Sequence, residues 1–225
     1  YSGEKLPPLR LRYRDYSEWQ TSDRQKNTIK EQEKYWSDQF GEEVMVLNIP
    51  FDYPRPVIRS FEGAALFFEI PGKTTRALNQ LALNMGTTLY MVLLAVYNIL
   101  LSKLSGQEDI VVGTPIAGRR HADLENIIGM FVNTLVMRNF PIGDKKFIDF
   151  LSELKERTLD NFENQEYPFE DLVEQVSVNR DTSRNPLFDT MFVLQNMETR
   201  TNEKLMAEIS PLRIRPYEIE LRTAK

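Results

Sequence analysis

The spacing of apolar residues changes period several times along the chain, and each change marks an element. Ile29, Trp36 and Phe40 share one stripe of a helix predicted over residues 16–40, with Asp15 and Glu18 as its capping pair and Gly41 as its stop. Leu78, Leu81, Ala82 and Met85 recur at i, i+3, i+4 and i+7, which predicts an amphipathic helix closed by Gly86. Residues 89–104 are too apolar for an amphipathic helix and predict a buried one that ends near Gly106. Phe147, Phe150, Leu151, Leu154 and Phe162 mark a further long helix. Pro168 suits the first turn of the next, whose inner face is Phe169, Leu172, Val173 and Val176.

Between the helices the pattern turns to strands. Residues 61–70 predict a strand buried on both faces and broken by Pro71-Gly72. Residues 109–116, built on Ile110, Val111 and Val112, predict a second; 131–138 and 187–195 predict two more. Residues 205–222 alternate as strand and turn around Pro211 and Pro216. The alternation of residues 218–222 runs out without a turn signal, which suggests a boundary inside a fold. Residues 47–56 carry Pro50, Pro54 and Pro56 and predict an extended connection. The sum is an α/β (α+β) domain, a two-layer arrangement of a mixed sheet with helices packed on it.

Composition narrows the function more than the fold. At 225 residues, one domain with a sizeable core is expected. The net charge of −5 disfavours a phosphate-backbone binder. With 41% apolar residues, including 13 Phe and 9 Tyr, the chain is ordinary globular material and not a disordered one. There is no cysteine, so disulfides, thiol chemistry and cysteine zinc sites are excluded together, and a reducing compartment fits. The single histidine, His121, excludes paired-histidine metal motifs, and no metal set is expected. The apolar run 89–101 is shorter than the roughly 18 residues a spanning helix needs. The first residues lack both an initiator Met and a signal-peptide core, which predicts a piece of something longer.

Few residues look like chemistry by themselves. Asn133 is the polar exception on a strand face with Phe131, Leu135 and Met137. It reads either as a structural amide tying a neighbouring loop or as an amide lining a reaction channel. His121, within Arg119-Arg120-His121-Ala-Asp123, reads as an exposed loop residue. Arg180, Asp181 and Arg184 belong to a polar turn whose charges pair locally or hold an anionic group. Trp19 and Trp36 read as core anchors. The string from Gly113 to Gly118 lacks the Gly-Lys-Ser/Thr ending of a phosphate loop.

Strings in a fixed order say more. Tyr13-Arg-Asp15-Tyr16-Ser-Glu-Trp19 fits the pattern Tyr-x-Asp-Tyr/Phe-x-x-Trp. The Pro-rich stretch 47–56 follows it, then Gly113-Thr-Pro-Ile-Ala-Gly-Arg119 and Ile128-Gly-Met-Phe-Val-Asn133-Thr. Gln165-Glu-Tyr167-Pro168-Phe169-Glu170 and Arg180-Asp181-Thr-Ser-Arg184-Asn-Pro-Leu-Phe188 close the series. Together they resemble the signature blocks of nonribosomal peptide synthetase condensation domains. Asn164 stands where the family block has His.

The resemblance implies a fold built of two halves, each like chloramphenicol acetyltransferase, of which residues 1–225 would be the C-terminal one, cut at both ends. It implies peptide-bond formation between two thioesters held on carrier proteins. The family's His-His-x-x-x-Asp-Gly motif lies ahead of the Tyr-x-Asp-Tyr block, so no catalytic residue is expected in this chain, which would be inactive alone. Asn133 is expected beside the substrate tunnel. Tyr13, Asp15, Trp19, Tyr167, Pro168, Phe169, Arg180, Asp181 and Arg184 are expected to hold the scaffold. No cofactor is expected to bind directly; 4′-phosphopantetheine arms arrive on upstream and downstream peptidyl carrier proteins. The other implied partners are the N-terminal half of the same domain and an adjacent adenylation domain, in a cytoplasmic enzyme that touches neither nucleic acid nor membrane. An exposed half-domain surface predicts homo-oligomers. A noncatalytic carrier-binding module of the same fold is the alternative, and the Asn133 block favours condensation over epimerisation or cyclisation relatives.

Overall fold

The computed structural model describes residues 8–41, 44–58, 60–176 and 183–195. The helix predicted over 16–40 is two helices, α1 (Tyr13–Gln20) and α2 (Asp23–Phe40). Two adjacent hydroxyls make the break. Thr21 Oγ1 donates to the Glu18 carbonyl at 2.9 Å, and Ser22 Oγ accepts from the Gln25 amide at 3.3 Å as the N-cap of α2. The start of α1 also differs from expectation. Its N-cap is Arg12, and Asp15 reaches back from the third helical position to accept from the Arg12 amide at 2.9 Å. Glu18 is already one turn inside.

The Pro-rich connection is extended, as its prolines require, and it is pinned through Asp189. That carboxylate accepts from the Leu47 amide at 3.3 Å and pairs with Arg55 at 3.4 Å and Arg184 at 3.3 Å. Residues 61–70 do not form the expected buried strand. They lie outside the named strands, with bridge pairing only at Glu62 among the described residues, and Leu66 and Phe67 are 89% and 90% exposed. Apolar β-formers specify an extended backbone but not the neighbour that would bury it.

α3 (Gly72–Asn84) and α4 (Leu89–Ser105) follow with the predicted stops. Gly86 and Gly106 adopt φ of 58° and 71°, the left-handed region that ends helices cheaply with glycine. Thr88 caps α4 by accepting from the Met91 amide at 3.2 Å. Val92, Leu94 and Ala95 of α4 are fully buried. Among the described residues no single helix is long and apolar enough to cross a membrane.

β1 (Ile110–Ile116) and β2 (Asn133–Asn139) pair antiparallel, from Ile110 opposite Asn139 to Ile116 opposite Asn133. The strand predicted over 187–195 reduces to a parallel bridge of Met191 with Gly113 on the other edge of β1. Gly113 is required there, because a Cβ would sit 2.6 Å from the Phe188 ring. The alternation in 205–222 and the turn residues Arg180 and Asp181 lie outside the described residues. β2 begins two residues later than predicted, so Phe131 precedes it and joins Leu124 and Ile127 in a small separate cluster.

α5 (Phe147–Glu163) covers β2 and packs on α4, and α6 (Phe169–Gln175) packs on α2 and β2. Pro168 is the N-cap of α6 and not its first helical residue. The main core joins α4, β1, β2 and α5 through Leu94, Ile110, Val112, Leu135, Val136, Leu151 and Leu154. Arg138 closes one end of the sheet. Its guanidinium grips Asp109 at 2.7–3.2 Å and donates to the Gln39 carbonyl at 2.8 Å, which ties β2 to the end of α2.

Candidate functional site

Four of the sequence blocks meet around one cavity of about 1000 Å³. Its walls are α1, the start of α2, residues 118–133 and residues 165–171. An aromatic shelf forms one side. Tyr16 lies 4.7 Å from Phe131 and 5.7 Å from Trp19, ring centre to ring centre, and Tyr13 meets Phe131 edge-on at 5.2 Å. The Tyr13 hydroxyl donates to the Met130 carbonyl at 2.8 Å and so joins the first block to the Asn133 block.

Two glycines make this approach possible. A Cβ at Gly129 would lie 2.1 Å from the Tyr13 ring. One at Gly118 would lie 1.7 Å from the Phe131 carbonyl oxygen, and Gly118 has φ of +63°. Arg119 stacks over the Phe131 ring at 4.1 Å and donates to the Leu124 carbonyl, fixing the loop between β1 and β2.

Asn133 stands at the cavity wall and works through both ends of its amide. Nδ2 donates to the carbonyls of Gln165 at 3.0 Å and Tyr167 at 2.8 Å. Oδ1 accepts from the amides of Thr134 at 2.8 Å and Phe169 at 3.3 Å. The side chain thereby fastens the segment joining α5 to α6 onto β2. Asn164, at the end of α5, gives its carbonyl to the Trp36 indole at 2.9 Å, while its side chain bonds the Asp160 carbonyl.

The charged lining is mixed. Glu166 accepts from Gln25 at 3.1 Å and pairs with Arg120 at 3.7 Å. His121 is exposed at the rim, 3.3 Å from Asp123, which also pairs with Arg10. Burial, then Glu174, Glu170 and Glu33, raise the Asp171 carboxyl above the usual carboxylate range. Burial, then Glu166 and Tyr13, raise the Tyr16 phenol. Among the described residues no three His, Asp or Glu side chains form a metal-holding group. An aromatic shelf and paired charges can orient a polar, chain-like substrate.

The predicted site residues divide by place. Tyr13 and Asp15 shape α1 against the wall, and Trp19, 43% exposed, lines the cavity, whereas Trp36 is buried in the main core. Tyr167 is buried and donates to Gln175 at 3.2 Å, Pro168 lines the cavity, and Phe169 contacts Phe188 at 5.6 Å. Arg184 is remote from the cavity, on Asp189. Sequence reasoning missed Gln25 and Gln32. Their signal was spacing: with Ile29, Trp36 and Phe40 they continue the same buried stripe of α2, two amides where apolar residues are expected.

The sequence and the fold are those of a known class. The profile of the Condensation domain family matches residues 1–224, and the chain belongs to that family. It is 52% identical over 225 residues to bacitracin synthase 3 of Bacillus licheniformis, and 52% identical over 219 residues to gramicidin S synthase 2 of Brevibacillus brevis. All of this chain aligns with the first and 97% with the second, yet it spans only 4% and 5% of their lengths. Among solved structures it resembles a four-domain holo nonribosomal peptide synthetase bound to AMP and glycine, with a TM-score of 0.75, 27% identity, and coverage of 90% of this chain and 15% of that one. The condensation domain of Monacolin K polyketide synthase shares the fold, with a TM-score of 0.67 at 18% identity over 79% of this chain and 44% of that one. The chain is therefore condensation-domain sequence of the nonribosomal peptide synthetase type, with the chloramphenicol acetyltransferase-like mixture of helices and small sheet.

Proposed function

We propose that residues 1–225 form the C-terminal part of a condensation domain that joins carrier-bound aminoacyl and peptidyl thioesters in a cytoplasmic peptide synthetase. The acceptor amine attacks the donor thioester carbonyl, the amide bond forms, and the carrier thiol leaves with a proton. One observation carries this reading. Blocks that lie between residues 13 and 171 converge on a single cavity lined by Tyr16, Trp19, Phe131, Asn133 and Pro168.

In this reading the chain supplies binding and orientation, and the proton is handled elsewhere. One histidine cannot provide a two-histidine motif. Asn133 acts by holding the wall, since both ends of its amide are engaged by the loop and by β2. Holding two tethered reactants in line supplies rate by itself, because a bimolecular encounter becomes a local one. Phosphopantetheine arms bring the thioesters from neighbouring carrier proteins, and the N-terminal half and an adenylation domain complete the machinery. The apolar side chains exposed on residues 57–70 predict self-association of the separate chain.

The test is amide formation from two loaded carrier proteins, read by mass spectrometry. The 225-residue chain alone yields no product; a longer protein that also carries the two-histidine motif does. Product from the chain alone, or none from the longer protein, defeats the reading.

A further inference from the structure

α2 buries two polar side chains on its apolar face. Gln25 and Gln32 are buried on the stripe that also holds Ile29, Trp36 and Phe40. A buried amide costs stability unless it is fully bonded, so its partners reveal its purpose. Gln32 Oε1 accepts from the amides of Glu166 at 3.0 Å and Tyr167 at 2.9 Å, and its Nε2 donates to the Glu163 carbonyl at 3.5 Å. Gln25 Nε2 holds the Glu166 carboxylate at 3.1 Å. Trp36, one turn beyond Gln32, takes the Asn164 carbonyl.

Residues 164–168 join two helices without regular structure, and Pro168 has no amide hydrogen. Five of their backbone groups are held by side chains from elsewhere: the Gln165 and Tyr167 carbonyls by Asn133 from β2 on one side, the Glu166 and Tyr167 amides and the Asn164 carbonyl by Gln32 and Trp36 from α2 on the other. Glu166 and Pro168 line the cavity, so whatever fixes this segment fixes one wall of the site.

We propose that Gln32 is a positioning residue of the condensation site: it sets the place of the Glu166–Pro168 wall from behind and touches no substrate. The proposal rests on the activity argued above. It predicts an effect that a merely stabilising residue would not have, because Gln32 bonds the wall through an acceptor oxygen. Gln32→Glu keeps that acceptor. Gln32→Met keeps the bulk and loses it.

Hydrogen exchange of the whole chain, followed amide by amide, gives the first readout. In Gln32→Met the Glu166 and Tyr167 amides exchange at least about tenfold faster while Val112 and Met137 keep their protection, as expected of local opening. In Gln32→Glu, which keeps the acceptor but turns a carboxylate oxygen toward the Glu163 carbonyl, the Glu166 and Tyr167 amides keep clearly more protection than in Gln32→Met, and Val112 and Met137 stay as in the parent. The second readout is kcat for amide formation by the longer condensation protein: it falls about tenfold in Gln32→Met and recovers in part in Gln32→Glu. Unchanged exchange at Glu166 and Tyr167, or faster exchange spread equally over β1 and β2, overturns the proposal. Selective exchange with unaltered kcat overturns it too. Absence of product from the unsubstituted protein defeats the proposed function instead, and the exchange data are read independently of it.

Discussion

Replacing Asn133 by Ala removes one amide and strands several partners. The carbonyls of Gln165 and Tyr167 lose a donor, and the amides of Thr134 and Phe169 lose an acceptor. A net hydrogen bond is worth about 1 kcal/mol, and a stranded buried group costs about 1–3 kcal/mol. Two short bonds to part-buried carbonyls dominate, because the Phe169 contact is long and water reaches part of the site. The expected loss is about 3 kcal/mol. For a chain of this size that lowers the urea midpoint by about 1–1.5 M.

Asn133→Asp sharpens the test. It keeps the acceptors but points a carboxylate at two carbonyl oxygens, 3.0 and 2.8 Å from the present nitrogen. That environment raises the new carboxyl above its unfolded value of about 3.9. A group whose folded pKa is raised binds its proton more tightly in the folded state. The variant's deficit is therefore full above the folded pKa and shrinks as pH falls through it, when the protonated acid regains a donor. Urea titrations at pH 8 and pH 5, against the parent at each pH, read this out. An Asp variant as stable as the parent at pH 8, or a deficit that does not change with pH, refutes the reasoning.

Gly118→Ala forces a Cβ onto the Phe131 carbonyl at a φ of +63° and should cost at least about 3 kcal/mol, seen as a lower thermal midpoint, whereas Gly106→Ala, with open space around it, costs only about 1 kcal/mol. Ser22→Ala removes the cap that separates α1 from α2 and should lower stability by about 1 kcal/mol, measured by denaturant midpoint. Burial, then Asp160, raise the Tyr35 phenol well above its ordinary value of 10.0, so the unfolded chain releases that proton first. Stability should fall as pH rises above about 10, and Tyr35→Phe should flatten that fall in denaturation curves recorded from pH 9 to 11.

Helices were legible where the apolar period and the stop signal agreed. α3, α4 and α5 carry clean stripes or all-round apolar faces, and Gly86 and Gly106 end the first two at left-handed glycines. The break at Thr21-Ser22 was hidden because Ile29, Trp36 and Phe40 say nothing about the turns before them. Residues 61–70 show the limit of strand propensity, which fixes backbone shape and leaves the partner undetermined. The sheet register depends on contacts between residues 17 to 29 apart and was not readable at all. For the site, motif strings named Tyr13, Asn133 and Tyr167, but only the fold shows that they share a wall. Gln32 lay in plain view on the α2 stripe, and its meaning came only from the loop it bonds.

The most direct test of the central claim is to map where a substrate arm goes. A carrier protein bearing a photoreactive aminoacyl-pantetheine is cross-linked to the longer condensation protein, and the adduct is located by mass spectrometry. The account predicts labelling on the cavity wall, at Tyr16, Trp19, Val132 or Pro168, reduced when unlabelled loaded carrier competes. Labelling confined to surfaces away from those residues contradicts the claim that this cavity is part of the condensation site.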